Sequence, residues 1–166
     1  MTSCNEALLR RVRAAVWGAV ALPALSAPVP DTFWSLVGQL AAAAPQGGKA
    51  VARQWPGPQP APAGSGQIRS APFAVGPGLQ TALAEVRVAE DDAVQLMVLE
   101  LEGRCITPAD LGAKYRQVTN ADFPQPHNPD PVRYRRVDMD GVRVSFGFRG
   151  AAPGCLSHVV INPQGN

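Results

Sequence analysis

The stretch VRYRRVDMDGVRVSFGFRG (132–150) constrains this chain most, because two strand-forming runs are separated only by Asp140-Gly141, a pair that folds a chain back on itself. Strands joined this tightly pair antiparallel, so a sheet grown around them is not the helix-interleaved parallel kind. In the second run Val142, Val144, Phe146 and Phe148 alternate with Arg143, Ser145 and Arg149, which predicts an apolar row packed inward and a polar row facing water. The register has two solutions. A two-residue loop pairs Val137 and Met139 with the buried row, whereas a three-residue loop with Gly141 left-handed substitutes Val132 and Tyr134. We expect the second, since it buries an aromatic ring and leaves Arg133 and Arg135 in water.

Other strands follow the same logic. LQTALAEVRVAE (79–90) alternates Ala84, Val86 and Val88 with Glu85 and Arg87, and AVQLMVLELEG (93–103) is apolar on both faces, which suits a central strand. CLSHVVIN (155–162) is the last strand. Between them Thr107, Pro108 and Asp110 spell a helix start: an N-cap, a proline where no N–H is needed, and an acid closing a capping box. Leu111 and Tyr115, four apart, share the helix face that packs on the sheet. The loop VTNADFPQPHNPDP (118–131) is too long and too proline-rich for a plain connection. The prediction is an α+β fold with an antiparallel sheet of about five strands, a C-terminal three-stranded meander and one helix on a face.

Upstream, DTFWSLVGQLAAAA (31–44) has apolar residues at helical spacing, with Asp31 placed to cap. PGPQPAPAGSG (56–66) reads as a linker, or as an ordered loop held by a docked Trp55. The first 26 residues have the layout of a secretory signal peptide: Arg10, Arg11 and Arg13, an apolar run from Ala14 to Leu22, then a small-residue exit with cleavage expected between Ser26 and Ala27. The alternative is an N-terminal helix buried in the fold. Three segments result: 1–26 as leader, 27–66 as helix and linker, and 67–166 as the α+β domain.

Export would change both charge and sulfur chemistry. The leader holds three of the fifteen basic residues and one of the thirteen acidic ones, which leaves twelve of each and no broad basic surface for nucleic acid. It also removes Cys4, leaving Cys105 and Cys155 together in an oxidising compartment, where a disulfide is expected if their strands are neighbours. The expected location is periplasmic or secreted, with no stable membrane anchor once the leader is cut.

The residues allow one catalytic alternative. Cys105 near a helix start and His158 on a strand resemble the nucleophile and base of NlpC/P60 cysteine peptidases, but the surrounding Arg104-Cys105-Ile106 departs from that family's Asp-Cys-Ser-Gly. His127 and His158 lack a carboxylate cluster for zinc, the acids Asp130, Asp138 and Asp140 match no calcium loop, and no glycine loop cradles phosphate, so no metal or other cofactor is expected. Arg133, Arg135, Arg136 and Arg143 can form a local basic strip on the hairpin.

The segment from Cys105 to Asn162 resembles, in layout, the small exported modules of the BamE (SmpA/OmlA) and β-lactamase-inhibitor-protein type. The matching pieces are the short helix at Thr107–Tyr115, the loop at Phe123–Pro131 and the aromatic–x–aromatic strand at Val144–Phe148. Such a resemblance implies binding to other proteins rather than catalysis; an exported immunity protein that plugs a toxin's active site is one concrete form, since a rigid proline loop loses little entropy on docking, and an envelope component is another candidate partner. The 118–131 loop and the arginine hairpin are the surfaces expected to meet the partner, with Phe123, His127, Arg133, Tyr134 and Arg135 as contact residues.

Overall fold

The computed structural model of the chain describes residues 29, 31–57, 61–64, 66–121, 131–150 and 154–163. The expected leader (1–26), and Phe123 and His127 of the proline-rich loop, lie outside the described residues.

Helix α1 (Asp31–Ala43), a 3-10 turn (Ala44–Gln46) and α2 (Gly48–Gln54) come first, followed by β1 (Ala61–Gly64), β2 (Gln67–Ser70), β3 (Ala74–Gly76), β4 (Leu79–Val88) and β5 (Val94–Gly103). Helix α3 (Pro108–Lys114) then leads to β6 (Thr119–Ala121), β7 (Arg133–Met139), β8 (Val142–Arg149) and β9 (Cys155–Asn162). The fold is α+β, with every described strand pair antiparallel. Its sheet has nine strands rather than about five, in the order β1-β2-β4-β5-β9-β8-β7-β6, with β3 pairing the start of β4. The strands missed by periodicity, β1, β2, β3 and β6, have only three or four residues each. Runs that short carry no readable alternation, and it is backbone pairing with a longer neighbour that makes them strands. β1 lies inside the stretch read as a linker, where Pro62 is tolerated because an edge strand has one side without a ladder.

The expected meander is present as β7-β8-β9, and it returns β9 to the side of β5. The hairpin register is the correction. Met139 pairs with Val142, Val137 with Val144, Arg135 with Phe146 and Arg133 with Phe148, so the loop has two residues rather than three. Asp140 (φ 49°) and Gly141 (φ 82°) are both left-handed, the geometry whose twist matches that of the flanking strands. Consequently Tyr134 pairs with Gly147 on the sheet face away from the buried row, while Arg133 and Arg135 lie on the face of Phe146 and Phe148. A long basic side chain near the margin of a covered face can bury its methylenes and keep its guanidinium in water, so arginine does not forbid this register.

One face of the sheet is covered by helices. Phe33, Val37 and Leu40 of α1 are fully buried, and Trp34 meets Tyr115 and Phe146 edge-on at 5.7 and 6.2 Å. Leu111 of α3 is fully buried, and its N-terminus has the expected capping box: Thr107 N–H donates to Asp110 Oδ2 at 2.8 Å and Asp110 N–H to Thr107 Oγ1 at 3.3 Å. Helix α2 is capped from outside its own sequence, since Gly48 and Lys49 donate their N–H groups to Asp92 in the β4–β5 turn. Trp55 packs on Phe73 with ring centres 5.6 Å apart. Cys105, just after β5, is joined to Cys155 at the start of β9, with a Cα–Cα distance of 5.0 Å.

Candidate functional site

With helices on one face, the other is read off the register row by row. The middle row runs Arg69, Glu85, Val98, Val160, Ser145, Arg136 and Thr119 across seven strands. On one side of it lie Leu83, Glu100, His158, Gly147 and Tyr134, and on the other Arg87, Leu96, Asn162, Arg143 and Asp138. Leu83, Leu96, Val98 and Val160 are each partly exposed and none belongs to the buried core cluster. They form an apolar centre on strands β4, β5 and β9. β5 is thus apolar on both faces, and among the described residues the helices cover one of them.

Charged residues flank that centre. Glu85 is only 5% exposed and binds two arginines, with Arg69 Nε on one carboxylate oxygen and Arg87 Nε on the other, each at 2.8 Å. The hydrogen bonds from Arg87 and Arg69 hold the Glu85 carboxyl below its usual range, against the opposing effect of burial. Both arginine side chains are 49% exposed, so the carboxylate fixes their Nε while the outer parts reach solvent. Across the face Arg136 Nε lies 3.7 Å from Asp138, an ion pair longer than a hydrogen bond.

The upper row carries a second polar group. A register shift opposite Gly147–Phe148 leaves Ser157 without a partner in β8, and this bulge brings its Oγ 2.8 Å from His158 Nδ1 while it donates to the Gly147 carbonyl at 3.2 Å. Burial is the main cause lowering the His158 pKa; Arg149 adds to it and Glu100 opposes it. Burial likewise raises Tyr134. The Tyr134 ring lies over Gly147, where a β-carbon would come within 2.8 Å of ring Cε1, so the row between His158 and Tyr134 is filled by the ring because position 147 has no side chain.

The structure thus divides the residues expected to make contacts. Tyr134 is on the open face, Arg133 and Arg135 are on the opposite one, and Phe123 and His127 are outside the described residues. Among the described residues no three of His, Cys, Asp and Glu converge as metal ligands. The sulfur of Cys105 is spent in the disulfide, and His158 is bonded to its neighbour Ser157. Sequence reasoning missed Arg69, Glu85, Leu96, Val98 and Val160 as a surface. Period-two spacing does put Glu85 and Arg87 on one face, but only strand pairing brings Arg69 to them. Comparison of the chain with protein-family models, with curated proteins and with solved structures gives no match.

Proposed function

We propose that this chain is a small exported module that binds another protein and has no catalytic activity of its own, with the disulfide as its staple. The observation that carries the binding half is the second sheet face, whose aliphatic centre is partly exposed and lies opposite the face that the described helices cover. Partly exposed aliphatics gathered in one place mark contact surfaces more often than singly scattered ones do. The Cys105–Cys155 bond supports the export half, because such bonds persist mainly in oxidising compartments. An immunity or inhibitor protein acting against a secreted cell-wall-degrading toxin is one form of this reading, in keeping with the layout shared with BamE-like and β-lactamase-inhibitor-like modules.

Mass spectrometry of the chain recovered from the envelope fraction of its producing cells tests the proposal. The expected mass starts at Ala27 and is two hydrogens short of the dithiol until reductant is added. A chain that stays inside the cell with residues 1–26 attached overturns export. A rapidly alkylated thiol at Cys105 turns the reading toward the cysteine hydrolase with His158 as base. The binding half is read by recovering a protein with the tagged exported chain, and that recovery is lost when Val98→Lys places a charge in the apolar centre.

A further inference from the structure

The disulfide has a chemistry beyond stapling, and its surroundings show it. β5 and β9 pair from Met97 with Ile161 to Glu100 with His158 and no further, although β5 runs on to Gly103 and β9 begins at Cys155. Among the described residues, a cleft of about 380 Å³ opens where the two strands part, a size common for small-molecule sites. Leu101 and Glu102 line it from β5, Cys155 and Ser157 from β9 and Arg149 from β8, whereas Cys105 does not line it. Both cysteines are exposed, and exposed disulfides are the ones that exchange readily with thiols. What flanks the bond is buried. Ile106 is fully covered and Leu156 is 5% exposed, and Leu156 N–H donates to the Ile106 carbonyl at 2.8 Å, one residue along from each sulfur. Contacts that do not pass through sulfur therefore hold the two cysteines side by side, with their Cα atoms 5.0 Å apart.

We infer that the folded chain is a site of thiol–disulfide exchange, at which a small thiol enters the cleft and is taken up on Cys155. The incoming thiolate attacks Cys155 Sγ; a new S–S bond forms there as the Cys105–Cys155 bond breaks, and the electron pair of the broken bond leaves on Cys105 as a thiolate. Cys155 is the sulfur attacked because it lines the cleft, so a thiolate inside the cleft meets it first. Cys105, still held beside Cys155, can return, expel the thiol and restore the original bond. A second thiol instead attacks the sulfur of the first and frees Cys155. The chain is then a dithiol, the two small thiols are joined as their disulfide, and the protons they gave up reside on Cys105 and Cys155. Nothing in this step depends on the identity of a protein partner.

The test uses the full chain with Cys4→Ser, folded and oxidised, mixed with glutathione in native buffer, quenched in acid, alkylated with N-ethylmaleimide and mapped by mass spectrometry. The first product is expected to carry glutathione on Cys155 and the alkyl group on Cys105, in about tenfold excess over the reverse arrangement. Its rate of formation should rise in proportion to glutathione without levelling off. Glu102→Trp, which fills the cleft, should slow it about tenfold at unchanged thermal melting, while Glu102→Gln leaves it unchanged. A rate that levels off at the chain's own unfolding rate overturns the inference, because the bond is then reached only by unfolding. So does glutathione found chiefly on Cys105, or a Glu102→Trp chain that exchanges as fast as the parent. Alkylation of Cys105 before any thiol is added overturns the staple and the exchange together. Failure of export or of partner recovery leaves this result standing, since the exchange is measured on the purified chain.

Discussion

Glu85 shows how a single carboxylate can be almost wholly covered and still be charged. Its two oxygens each receive a charge-assisted bond, and the bonds outweigh the burial that would otherwise raise its pKa. A depressed folded pKa means that the contribution is complete above the unfolded value of ~4.3 and drains away as pH falls toward the folded one. Glu85→Gln should therefore lower stability by about 1–2 kcal/mol at neutral pH, measured by urea unfolding, and flatten the loss of stability below pH ~4. His158 is also depressed, but for a base this means that the neutral form is preferred in the fold. Its contribution is present above the unfolded value of ~6.5 and is lost as pH falls through that value toward the folded one. Unfolding followed between pH 7 and pH 5 should show stability declining with acid, with a smaller slope in His158→Asn.

Among the elements, α3 and the β7–β8 hairpin make an instructive pair. The start of α3 was legible residue by residue because a capping box is a local device, complete within Thr107–Asp110. The hairpin was legible as a hairpin, but its register was not. Asp140-Gly141 accommodates either loop, and the burial of a tyrosine with exposure of two arginines favours the three-residue loop, which is not the one that forms. What decides it is that both turn residues take positive φ, the twist that a two-residue connection needs. Asp140→Val tests this directly. A β-branched residue is strained at positive φ, so the substitution should cost about 1–3 kcal/mol, whereas Asp140→Asn should be neutral or stabilising; chemical denaturation of both variants measures the difference.

For the whole molecule, the helix at 31–43 belongs to the same core as the sheet, and Phe33 is fully buried within it. Phe33→Ala should cost about 3–5 kcal/mol and lower one common unfolding transition, seen alike by far-ultraviolet and near-ultraviolet circular dichroism. The disulfide closes a loop with a sequence separation of 50, for which chain entropy suggests about 4 kcal/mol. Cys105→Ser/Cys155→Ser should lower the melting temperature accordingly. Both cysteines are exposed, so a mild reductant should reproduce the shift in the native chain without prior unfolding.

What the sequence determined by itself is whatever a few neighbouring residues settle among themselves: the alternation of the long strands, the capped start of α3, and the hairpin. Only the tertiary structure decided which face of the sheet the helices cover. It also decided that Asp92 caps a helix some forty residues away, that Arg69 reaches Glu85, and that Ala61–Gly64 is a strand. Each of these depends on segments distant in the chain meeting in a particular register. Period-two patterning assigns a residue to one of two faces, and packing against the helices chose which of those became the core.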